Sequence, residues 1–173
     1  SNQRNRLCAT AIIASICSVL TFSEYFGTQN YIYGKMKRNK VAFEEVTTDA
    51  GSSFRILLTP NLNDIFYWHF HPEYEIVFVE GASGTRHIGD HISRYQDGDL
   101  VFIGPNIPHL NFDYGVETTC ETIVVQMKED FLGKEFFTLP EMAGVKKLFD
   151  KAKYGLSFPY STKKIAGEKL KKL

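Results

Sequence analysis

The sequence predicts a mainly β domain followed by two or three α-helices. From Val41 to Met127, short runs rich in Val, Ile, Phe, Tyr and Thr are separated by Gly, Pro, Asn and Asp. After Met127 the apolar period lengthens to that of a helix, with Leu148 and Phe149 following Val145. The 173 residues, 43% hydrophobic and 23% charged, suit one domain with an appendage and exclude global disorder.

Strands are expected at 41–46, 54–59, 65–70, 74–80, 84–88, 91–95, 100–103, 109–112 and 119–127. Turn signals at Thr59-Pro60-Asn61, Gly81 to Gly84, Asp97-Gly98-Asp99 and Gly104-Pro105-Asn106 punctuate them. Ile88 to Ile92 reads as a tight hairpin around Gly89-Asp90. Short strands at this spacing suggest a sandwich or small barrel. Helices are expected over 129–137 and 141–153, with Pro140 suited to a helix start. Gly155 to Pro159 breaks the chain. Ser161 then reads as the cap of a last helix with an apolar stripe of Ile165, Ala166, Leu170 and Leu173. Phe131, Phe136, Val145, Leu148 and Phe149 are expected in a dimer interface or a helix–barrel interface. The organisation read from this is an extension over 1–35, a barrel over 36–128 and a helical arm over 129–173.

Leu7 to Phe22 is mostly apolar and follows Arg4 and Arg6. It is short for a membrane-spanning helix, which needs about 20 residues. Three readings stand: a mis-called start with Met36 as the native one, an export signal or anchor, and a real helix. The mis-called start is favoured, because well-patterned sequence begins directly after Met36. The abrupt ending on Lys-Lys-Leu looks like a cut boundary.

The 20 basic and 20 acidic groups cancel, but unevenly. Residues 1–128 carry −4, residues 129–140 carry −2 and residues 141–173 carry +6, all from Lys. A strongly basic nucleic-acid binder is therefore excluded for the chain as a whole. The Lys-rich end reads as a solvated helix face, or as a connector toward a basic-binding partner such as DNA. Cys8, Cys17 and Cys120 make neither a CxxC pair nor an even framework, which favours a reducing, cytoplasmic compartment.

His69 and His71 stand two apart on a strand and point to one face. Glu75 follows past Pro72, and His109 lies on a later strand. Such a set can surround one divalent ion, Zn, Fe, Ni, Mn or Cu, and leave positions for water or substrate. The same side chains can instead line a pocket and hydrogen-bond a sugar or other polar ligand. Trp68, Phe102, Tyr74 and Tyr67 are candidates to complete that pocket. His87 and His91 flank the hairpin turn and read as surface residues.

The run from Trp68 to His109 resembles a cupin domain, a double-stranded β-helix or jelly-roll barrel. It is similar to the sensor domain at the N-terminus of AraC-type bacterial transcription regulators. His69-Phe70-His71, three residues, Glu75 and then Gly81 fit the first cupin motif with one gap shortened. Gly98 and His109 keep the spacing of the second, while Gly104, Asn106 and Asp113 stand where Pro, Gly and Asn are expected. The likeness extends over residues 36–173 and includes the phrases from Gly84 to His91 and from Gly98 to His109. It implies metal ligands at His69, His71, Glu75 and His109. It also implies a small effector such as a sugar in the barrel, pairing of two copies through the helices, and DNA contact only through a further domain. No helix-turn-helix pattern is present in these 173 residues. The other expectation is a metal-dependent cupin enzyme, a dioxygenase or sugar isomerase.

Overall fold

The computed structural model describes residues 24–25, 41–48, 52–58, 68–110 and 120–173. The predicted segment Leu7 to Phe22, the strand portions at 59, 65–67, 111–112 and 119, and the residues Tyr67 and Asp113 lie outside them.

Ten strands are described: β1 (Glu24–Tyr25), β2 (Ala42–Phe43), β3 (Phe54–Leu58), β4 (His69–Phe70), β5 (Tyr74–Glu80), β6 (Gly84–Ile88), β7 (His91–Tyr95), β8 (Asp99–Ile103), β9 (Glu121–Met127) and β10 (Leu156–Ser157). Two helices, α1 (Ala143–Ala152) and α2 (Tyr160–Leu170), are described on either side of β10. The chain is therefore mainly β, with one antiparallel sheet in the order β1-β10-β8-β5-β9-β3. A second layer holds the parallel pair β2-β4 and the hairpin β6-β7. His109 bridges the two by pairing with both His69 and Ile88.

The centre of the large sheet is buried on both faces, so β8 reads as the unbroken apolar run Leu100-Val101-Phe102-Ile103. Side chains alternate across a strand. Tyr74, Ile76 and Phe78 of β5 therefore face the helices, where they pack with Phe102, Phe149, Ala166 and Leu170. Val77 and Val79 face the opposite way, onto Ile88, Tyr95, Val101 and Ile103. Each such side chain taken from water contributes about 1.5–3 kcal/mol. The fold is thus three layers, helices on one face of the sheet and the small β layer on the other.

The helical arm differs from expectation in several places. Residues 129–137 form turns and a short 3-10 helix, Phe136–Thr138, in place of an α-helix; Gly133 at φ +102° interrupts the backbone there. A second 3-10 turn, Pro140–Met142, precedes α1. Ser161 does not cap α2, since Pro159 occupies the N-cap position and its fixed φ of −66° pre-sets the first turn. The buried stripe of α2 is Thr162, Lys163, Ala166, Gly167 and Leu170, while Ile165 is exposed. The segment expected to be a simple break contains β10, which extends the sheet beside β8. Of the five residues expected at an interface, Phe131, Val145, Leu148 and Phe149 join the core of their own chain, while Phe136 is half-buried and sets its ring against Phe137. No helix among the described residues is long and apolar enough to cross a membrane.

Candidate metal centre

Four side chains converge in the small-layer side of the sandwich. His69 is delivered by β4, His71 by the bend that follows, Glu75 by β5, and His109 by the bridge between β4 and β6. Backbone bonds fix the arrangement: His69 and His109 exchange N–H···O bonds of 3.0 and 2.9 Å, and the Asn106 N–H donates to His71 O at 2.7 Å. Asn106 holds φ +59°, the left-handed turn for which a glycine is expected at this point of the motif and which Asn tolerates. The ligating atoms of His69, His71, Glu75 and His109 all lie within 4.8 Å of one another, and each residue is 1–3% exposed.

The proton positions carry the chemistry. The Nδ1–H of His71 donates to Glu73 O at 3.2 Å, and the Nδ1–H of His109 donates to Ile107 O at 2.8 Å. Both rings therefore present Nε2 to the centre, as metal-ligating imidazoles do when a second group holds the far nitrogen. His71 Nε2 stands 3.1 Å from Glu75 Oε2, and His109 Nε2 stands 3.4 Å from Glu75 Oε1. His109 Nε2 is buried and has no hydrogen-bond partner. An Nε2 facing a carboxylate oxygen at such a distance needs a proton or a cation between them. Two ligands on one ion with bonds of about 2.0–2.2 Å stand about 3.0–3.5 Å apart. The donor set thus fits a divalent ion.

Electrostatics agree. Burial opposes the charge on His71, but the Glu75 hydrogen bond and the carboxylates of Glu75, Glu44 and Glu73 outweigh it and raise its pKa. Burial would push Glu75 up, yet the imidazoles of His109 and His71 hold it well below the usual carboxylate range. The site is built to keep positive charge beside Glu75.

The other sequence candidates fall elsewhere. Phe102 pairs in register with Ile76 and packs against Tyr74 and Phe149, on the helix side of the sheet and away from Glu75. Tyr74 is on that side too. Trp68 is half-buried and sets its ring edge-on to His87 at 6.3 Å, outside the four-residue group. His87 and His91 are half-buried on the hairpin, outside the four-residue group, and burial lowers both pKa values.

Sequence reasoning missed three residues. Gln126 Nε2 donates to Glu75 Oε2 at 2.9 Å and to Glu44 Oε2 at 3.2 Å. Glu44 Oε2 lies 3.5 Å from His69 Nε2. Arg55 Nη1 reaches Glu44 Oε1 and Gln126 Oε1, each at 3.5 Å. Only strand register links these positions to the histidines, and one-sequence spacing carries no such signal. Comparison with known proteins finds no matching family model, curated protein or solved structure.

Proposed function

We infer that this chain is the effector-sensing domain of a transcription regulator resembling the AraC type, built as a cupin-like barrel that holds one divalent ion, Zn, Ni, Fe or Mn. His69, His71, Glu75 and His109 hold the ion in this reading. When bound, it supplies Lewis-acid affinity for an oxygen donor of the effector.

The observation that carries the reading is the alternation along β5. Glu75 faces the histidines, while its neighbour Tyr74 packs on Phe149 of α1 at 4.6 Å between ring centroids. Ligand occupancy on one face of the strand therefore has a packed route to the helices on the other. Pairing of two copies through the helical arm, and DNA contact through a further domain, belong to the same reading. So does the sequence likeness over 36–173.

The test has two arms. Protein purified without a metal-affinity column is assayed for bound metal and then for stabilisation by a panel of sugars and sugar acids. The reading frame beyond codon 173 is sequenced for two helix-turn-helix motifs. Metal-free protein that no effector stabilises would sink the sensor reading. A second reading, a metal-dependent dioxygenase or sugar isomerase, is favoured by the complete four-residue donor set. Turnover by the metal-loaded protein would select it.

A further inference from the structure

The four ligating side chains are sealed from solvent, at 1–3% exposure. Polarity continues outward from them through Glu44 and Arg55, whose side chains are 16% and 29% exposed. Register places Arg55, Gln126 and Glu75 in one row across β3, β9 and β5. The same inner face is otherwise lined by Val77, Val79 and Val101. A polar row in an apolar face costs free energy unless each member is bonded. Here each is: Gln126 ties Glu75 to Glu44 through its amide nitrogen and meets Arg55 through its amide oxygen. The row is a polar path from the edge strand β3 to the histidines.

Glu44 holds an unusual position on that path. One oxygen is 3.5 Å from His69 Nε2, and the other is 3.5 Å from Arg55 Nη1. One carboxylate thus spans the histidine cluster and a guanidinium. Both contacts are long, since a bidentate arginine–carboxylate pair closes to about 2.7–2.9 Å. The planar fork of Arg55 is therefore not saturated by Glu44.

We propose that Glu44 is a built-in stand-in for the carboxylate of a small chelating ligand, a 2-hydroxy- or 2-oxo-carboxylate such as a sugar acid, which takes its place between Arg55 and the ion. This rests on the metal centre proposed above and adds the ligand class. The ligand carboxylate accepts hydrogen bonds from the Arg55 fork. Its neighbouring hydroxyl or oxo oxygen faces the ion, and the Gln126 amide released by Glu44 remains aimed by its bond to Glu75. A neutral sugar offers Arg55 only uncharged hydroxyl acceptors, which are too weak to displace Glu44.

Co(II)-loaded protein is titrated with glycolate, pyruvate and arabinose, followed by calorimetry and by the Co(II) visible bands. Glycolate and pyruvate bind and shift the bands; arabinose does neither. In Arg55→Met, glycolate affinity falls about tenfold or more, the size expected for a lost charge-assisted pair. Arg55→Lys, which keeps charge without the fork, loses less and serves as the test should the Met variant fail to fold. Glu44→Gln tightens glycolate by removing the internal competitor. Circular-dichroism melts confirm which variants are folded. Unchanged glycolate affinity in the folded Arg55 variants, weaker glycolate binding in Glu44→Gln, or arabinose binding as tightly as glycolate each overturn the proposal. Failure of the unaltered protein to take up Co(II) is a separate outcome, which removes the metal centre and this proposal together.

Discussion

Lys163 Nζ lies 2.7 Å from Asp97 O and 2.8 Å from Gly98 O, an ammonium of α2 seated on the carbonyls of the β7–β8 turn. A third carbonyl, Gln96 O, is 3.3 Å away. These carbonyls, with the Tyr160 ring centroid 5.2 Å from the ammonium, are how a largely buried lysine is tolerated. Hydrogen bonds to a charged group contribute about 1.5–3 kcal/mol. Lys163→Met should therefore cost about 2–3 kcal/mol and release α2 before the barrel. Hydrogen exchange should show residues 160–170 losing protection first. Equal loss across β5 and β8 would mean α2 and the barrel unfold as one unit.

Gly167 marks the closest approach of α2 to the sheet. A Cβ there would stand 2.3 Å from Phe78 Cζ. Phe78 is buried at 3% exposure, so the ring has little room to yield. Gly167→Ala should lower stability by about 1–3 kcal/mol through overpacking, despite the better helix propensity of alanine. Adding Phe78→Leu should recover part of the loss. A thermal melt of the three variants checks both directions.

The paired substitution His69→Ala with His71→Ala should abolish metal uptake and leave a folded β domain. Zn(II) should raise the melting temperature of the unaltered protein, because an ion binding only the folded state stabilises it by mass action. It should leave the double variant where it was. Loss of the folded circular-dichroism signal would instead show that the imidazoles are needed as core.

Acidity should act oppositely on the metal-free and metal-bound forms. The His71 pKa is raised above 6.5, so its contribution is fully present below pH 6.5 and is lost as pH rises through the raised value. The Glu75 pKa is lowered below 4.5, so its contribution is present above pH 4.5 and is lost as pH falls through the lowered value. Metal-free protein should thus gain most from this pair between about pH 4.5 and 6.5. Metal needs the neutral imidazole, so the added stability from Zn(II) should grow as pH rises. Melting curves with and without Zn(II) across pH 5–8 should diverge with pH; parallel curves would contradict the assignment of His71 as a ligand.

Much of this was legible in sequence because it rests on local period. The runs at β5, β6 and β7 fall where β-rich composition and the flanking turn signals predict, and the two-apart histidines lie in one group with Glu75 and His109. What was not legible depends on register or close approach. Phe102 looks like pocket lining until its pairing with Ile76 shows which face it occupies. Gly104 has a reason that lies about fifty residues on: a Cβ there would stand 2.7 Å from Lys153 N at the end of α1. The Lys-rich arm reads as a solvated helix face or a connector, and neither reading singles out Lys163, which is buried beneath the β7–β8 turn.

The pairing of Glu24 with Ser157 and Tyr25 with Leu156 has a practical consequence. Those two residues cover the outer side of β10. Protein trimmed to begin at Met36 would offer the backbone groups of Leu156 and Ser157 as an open seam. Another extended chain could be stitched along it, so such trimmed protein should be the first to self-associate on concentration. The choice of first residue is then a determinant of solution behaviour, apart from anything it does to the metal centre.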